Sequence, residues 1–101
     1  MFIYNVTIKV TWAIHEDWVK WMKEKHIPEV MSKNCFTENR FARLLDIEED
    51  DGPTFSIQYT AESREQYEQY IDLHAAELRK DLINNWGENF VAFRSLMELV
   101  H

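Results

Sequence analysis

Two of the four histidines fall on the apolar sides of helix-forming stretches, His26 within HEDWVKWMKEKHIPEVM (residues 15–31) and His74 within YEQYIDLHAAELRKD (residues 67–81). An imidazole titrates near neutrality and can both donate and accept a hydrogen bond, so the chemistry open to this pair is proton transfer or ligand orientation. Aromatic and soft side chains recur around them. Trp18 and Met22 precede His26, and Tyr67 and Tyr70 precede His74, which together would give a mostly apolar wall with few polar groups. His26 and His74 are therefore the candidate catalytic residues, and Trp18, Met22, Tyr67 and Tyr70 the candidate ligand-binding residues. The competing reading is a hydrogen-bonded core histidine and tryptophans that only fill space.

Other chemistries find less support. His15, His26, Glu29 and His74 match no metal-binding module in spacing, and CxxC, GxSxG and glycine-rich phosphate-loop patterns are missing, so no metal and no cofactor is expected. The lone Cys35 reads as a small buried residue. Asp46, Glu48, Glu49, Asp50 and Asp51 crowd before Gly52 and Pro53, but an EF-hand counted from Asp46 would need glycine and glutamate where Asp51 and Ile57 stand. That cluster reads as a solvated acidic turn. Arg79 and Arg94 could neutralise an anion, but with 18 Asp and Glu against 11 Lys and Arg they are expected to be paired with carboxylates.

A net charge of −7 opposes binding to phosphate backbones and anionic membranes, so neither nucleic acid nor a membrane is an expected partner. No apolar run has the length of a signal peptide or a membrane span, which places the expected location in the cytoplasm. With 101 residues and no linker or repeat, residues 1–101 should form a single domain.

The elements that must position these residues are legible from periodicity. Residues 2–10 put Phe2, Tyr4, Val6, Ile8 and Val10 on one face of a strand. The first helix follows, with Glu16 and Asp17 in its first turn and Asn34 as a left-handed cap. Lys25 is a misfit in its apolar stripe, and Pro28 predicts a kink or restart near His26. Residues 35–48 read as a second strand, imperfectly alternating, and Phe55 to Ala61 as a third. Ser63 with Gln66 opens a second helix, which Asn84, Asn85 and Gly87 can end. A last strand runs from about Asn89 to Val100. The order βαββαβ predicts an α+β, ferredoxin-like fold, a four-stranded antiparallel sheet with two helices on one face.

The last strand is apolar on both faces, with Val91, Phe93, Met97 and Leu99 opposite Phe90, Ala92, Leu96 and Val100. Two helices cover only one side of such a sheet, so the other should be covered by a second copy: a homodimer through the sheet face. Asn5, Thr7, Ser56, Gln58 and Thr60, neutral and polar, suit a face semi-buried against another sheet.

Four runs, YNVTIKV, HEDWVKWMKEKHIPEVM, YEQYIDLHAAELRKD and WGENFVAFRSLMEL, closely resemble a small family of domains of unknown function within the dimeric α/β-barrel superfamily. That superfamily includes antibiotic-biosynthesis-type and haem-degrading monooxygenases, muconolactone isomerase and stress-responsive barrel proteins. The resemblance implies a dimeric α/β barrel with a ligand space between sheet and helices. The Asn, Trp and His set of the haem-degrading members finds no match here.

Three functions compete. The first is a small-molecule-binding domain with an apolar pocket for an apolar or aromatic ligand. The second is a cofactor-independent monooxygenase or isomerase acting on an aromatic or polyketide-like substrate, with a histidine base. An RNA-recognition domain shares the element order, but PTFSIQYT lacks the basic and glycine parts of its motif.

Overall fold

The computed structural model describes all residues from Met1 to His101. Strand β1 (Phe2–Val10) is followed by helix α1, which runs through His15–Trp21, Met22–His26 and Ile27–Ser32. Strands β2 (Glu38–Arg43) and β3 (Thr54–Ala61) precede helix α2, which runs through Arg64–Tyr70, Ile71–Ala75 and Ala76–Trp86, and strand β4 (Phe90–Glu98) closes the order. The sheet is antiparallel in the order β2-β3-β1-β4, the ferredoxin-like arrangement expected from βαββαβ.

Period-two alternation decides which side chains meet the helices. Tyr4, Ile8 and Val10 of β1 and Phe55, Ile57, Tyr59 and Ala61 of β3 are buried beneath them. Tyr4 is the hub of an aromatic cluster, with ring centroids 6.1 Å from Phe36 and Tyr59, 5.6 Å from Tyr67 and 5.8 Å from Tyr70. Such offset and tilted pairs add to what area burial alone contributes.

Helix α2 begins at Ser63, whose Oγ accepts from the Gln66 backbone N–H at 3.2 Å, and ends at Gly87 with φ 52°. Helix α1 carries Glu16 and Asp17 in its first turn, and Asn34 takes φ 60° beyond its end. Each of these agrees with the sequence reading.

Two readings need correction. Strand β2 is shorter than residues 35–48, because Cys35 and Phe36 turn into the core before pairing begins and Asp46 adopts φ 60° after it. Helix α1 does not break near His26. Its dihedrals stay helical across the region, and Ile27 N–H bonds to Met22 O five residues back, a π turn rather than a kink. Pro28 sits in the first turn of the segment that follows, where its missing N–H is tolerated. A second π segment, Ile71–Ala75, lies inside α2.

The acidic turn is partly tied down. Glu49 accepts from Arg43 Nη2 at 2.7 Å and Nε at 3.2 Å, and its carbonyl accepts from Trp12 Nε1 at 2.9 Å. Gly52 packs so closely on Val10 that a Cβ would overlap the Val10 carbonyl oxygen.

On the open side of the sheet, Asn5 bonds Ser56, Thr7 and Ser95 at 2.6, 2.9 and 3.5 Å. Around this satisfied polar centre Val91, Phe93, Met97 and Leu99 are exposed, Phe93 at 66%. No helix of the chain is long and apolar enough to cross a membrane.

Candidate functional site

Between the two helices and the sheet lies a partly open cavity of about 30 Å³. Tyr4, Val6 and Ile8 form its floor with Ile57 and Tyr59, and Arg94 reaches in from β4. From α1 come Met22, His26 and Val30, and from α2 Tyr70, Leu78, Arg79 and Leu82.

The π segment explains how His26 gets there. A turn that takes up an extra residue sets every following side chain back by about 100° relative to an uninterrupted α-helix. Lys25, the misfit of the apolar stripe, is thereby exposed, while His26 lines the cavity. The Trp21 ring stacks on the imidazole with centroids 4.9 Å apart, and Trp86 meets Trp21 edge-on at 5.8 Å. His26 Nδ1 is buried with no partner. Burial lowers its pKa to about 4, Asp81 opposes that change, and Arg94 adds to it. The imidazole is therefore neutral at physiological pH.

Arg79 donates from Nη2 to the Tyr4 hydroxyl at 3.1 Å, while its Nε is buried and unpaired. The chain's ion pairs are Lys9–Asp51, Arg43–Glu49 and Arg64–Glu68, so neither Arg79 nor Arg94 is held by a carboxylate, contrary to the sequence expectation. The reason is geometric. Arg94 pairs across the sheet with Val6 and shares the helix-facing phase of Phe90, Ala92 and Leu96, away from the acidic surface. That phase was the available signal: an arginine in the inward alternation of a strand. Burial raises the Tyr59 and Tyr70 hydroxyls above the usual phenol range, and for Tyr70 the neighbouring Arg79 and Arg94 pull the other way. Both are neutral hydrogen-bonding groups.

Of the residues singled out from sequence, Met22, His26 and Tyr70 line this cavity. His74 does not; its ring lies 6.4 Å from that of Tyr70, outside the lining, so the two imidazoles do not share one space. Trp18 is fully buried against Phe41 and Phe55. Tyr67 packs on Tyr4 rather than on the cavity. His15, His26, Glu29 and His74 form no cluster, and no three His, Cys, Asp or Glu side chains converge on a common point. Cys35 is buried, its thiol directed to the Lys33 carbonyl at 3.6 Å and its pKa pushed up by burial, which makes it a poor nucleophile.

What the cavity can do chemically follows from its surplus of nitrogen. His26 Nδ1 and Arg79 Nε, both on residues that line it, are buried without partners, as are the indole nitrogens of Trp18, Trp21 and Trp86 elsewhere in the core. Buried polar groups ordinarily find a partner, and the two that line the cavity have hydrogen-bonding capacity left over.

Solved structures of similar shape are distant in sequence. A dimeric ferredoxin-like protein from an uncultured marine organism has a TM-score of 0.76 at 12% identity, covering 99% of this chain and 95% of that one. A protein of the ethyl tert-butyl ether D family from Bacillus halodurans gives 0.70 at 12%, covering 98% and 100%. A monooxygenase from Streptomyces coelicolor, in complex with Nanaomycin D, gives 0.61 at 18%, covering 99% and 89%. At these identities the likeness establishes the fold alone. No curated protein matches the chain in sequence. The family model for "Domain of unknown function (DUF4286)" matches residues 1–100, and the chain belongs to that family.

Proposed function

We propose that this domain binds a small molecule in the cavity between sheet and helices, working as a homodimer joined through the open sheet face. The observation that carries the reading is the partly open, largely apolar cavity, with room for about two water-sized groups, in which His26 Nδ1 and Arg79 Nε lack partners. Few polar groups on an apolar wall is the usual make-up of a small-molecule site. Met22, His26 and Tyr70 contact the ligand in this reading, with His26 orienting it by hydrogen bonding. Tyr67 supports the wall from behind through Tyr4, while Trp18 fills the core beside Phe41 and Phe55.

Dimerisation is supported by the sheet's open face. Its polar centre is internally hydrogen-bonded and so can be covered at little cost, while Val91, Phe93 and Met97 gain from leaving water. The marine structure of the same shape is described as dimeric. A free, buried Cys35 is compatible with a reducing cytoplasm.

The second reading is an enzyme, a cofactor-independent monooxygenase or isomerase with His26 as base. In its favour are the unpartnered Nδ1 and the neutral state of the imidazole. A pKa of about 4 makes His26 a weaker base than a free imidazole, which favours binding over proton abstraction.

Native mass spectrometry of gently purified protein tests the proposal. The expected species is two chains with a small adduct. A lone 12.2 kDa chain would sink the dimer, and two bare chains with no uptake from a small-molecule library would sink the pocket.

A further inference from the structure

Arg79, Leu82 and Arg94 line more than the inner cavity. They also form the inner end of a groove of about 280 Å³ between α2 and the edge strand β4, whose outer walls are Ile83, Phe90 and Ala92. Arg79 and Arg94 are thus common to the small, largely apolar cavity and the larger trough, and supply the charge of both. We infer that the groove and cavity together hold a monocarboxylate with an apolar body, its carboxylate gripped by Arg79 and Arg94 and its body lying along α2 and β4.

The inference rests on the pocket reading above and adds the chemical class. Several observations converge on it. In a chain with 18 acidic residues, neither arginine has a carboxylate partner. Arg79 Nε is buried and unsatisfied. A guanidinium presents a planar fork that matches a carboxylate in two parallel hydrogen bonds. The chamber beyond holds roughly two water-sized groups, enough for a carboxylate's oxygens but cramped for a tetrahedral phosphate. The remaining ionisable groups around it are Tyr4, whose hydroxyl Arg79 holds; His26, Tyr59 and Tyr70, which are neutral; and Asp81, an anion that acts on His26 from α2. His26, Tyr59 and Tyr70 can each hydrogen-bond to an anion, and the two guanidinium charges outweigh the single carboxylate of Asp81.

The test uses the full chain and three probes, 2-naphthoate, its uncharged counterpart 2-naphthamide, and inorganic phosphate, read by calorimetry and by tryptophan fluorescence. Naphthoate should bind at least about tenfold more tightly than naphthamide, and more tightly than phosphate, with affinity falling as salt rises. Arg79→Gln and Arg94→Gln should each cost naphthoate about tenfold and leave naphthamide within about twofold, whereas Arg94→Lys should recover part of the loss. Should either Gln variant fail to fold, the probe comparison on the unaltered chain and Arg94→Lys still decide. Equal binding of naphthoate and naphthamide would keep the pocket and overturn the anion assignment. Tighter binding of phosphate would replace the carboxylate by a phosphate group. Binding of none of the probes would bring down the pocket reading and this inference with it.

Discussion

Burial holds the His26 imidazole neutral, and the consequence for stability has a definite sign. Unfolding returns its pKa from about 4 to 6.5, so between these values the unfolded chain binds a proton that the folded chain refuses. The contribution is complete above pH 6.5 and is lost as the pH falls toward 4, amounting to at most about 3 kcal/mol, less whatever partial exposure screens. Chemical denaturation across this range should show the decline, and His26→Gln should flatten it. The glycines offer a second contrast. Gly52→Ala drives a methyl group into the Val10 carbonyl at a positive φ and should cost about 3 kcal/mol or more, while Gly87→Ala, with open space around it, should cost about 1 kcal/mol for its φ alone. Thermal melts of the two variants would separate them. At this scale the sequence was informative about type but not about partnership. His26, Met22 and Tyr70 could be chosen from helical phase, but whether Arg94 met a carboxylate depended on which surface its strand turned inward.

The strands and helices were readable wherever one face is dry. β3 alternates strictly because the helices bury every second residue, β1 does so apart from the buried Asn5, and α2 repeats at helical spacing for the same reason. β2, an edge strand with little buried surface, was over-extended, since exposure leaves no alternation to read. The π turns were invisible for another reason: one added residue shifts the phase without changing composition, and only the misplaced Lys25 hinted at it. Deleting Lys25 should therefore return α1 to ordinary α geometry, with Met22 and Ile27 one turn apart and both halves still facing the core. That variant should stay folded by circular dichroism. Deleting Lys20 instead, within Trp18 and Met22's regular turn, rotates everything beyond it by about 100° and should abolish cooperative melting. If both deletions unfold the chain alike, the phase account of the π turn fails. Pro28 accounts for none of the second π segment, which has no proline.

For the whole molecule, the element order made the fold class legible and the two-faced β4 raised the expectation of a sheet-side partner, while the lining of the expected pocket could not be read. Its lining takes Tyr70 from α2 but neither Tyr67 nor His74, a choice that helical spacing alone did not make. Phe93→Glu places a charge at the centre of the exposed apolar patch and should yield monomers in analytical ultracentrifugation, with the unaltered chain's melting temperature rising with protein concentration and the variant's not. An unaltered chain that melts independently of concentration and sediments as a monomer would refute the sheet-face dimer. β4 also limits how the sequence can drift. Phe93 and Arg94 are neighbours on opposite sides of one strand, so loss or gain of a single codon between Phe90 and Phe93 would leave a strand that still pairs with β1. It would nonetheless turn the guanidinium out to solvent and the phenyl ring into the cavity. Substitution can reshape either side separately, but length variation in this stretch alters both at once.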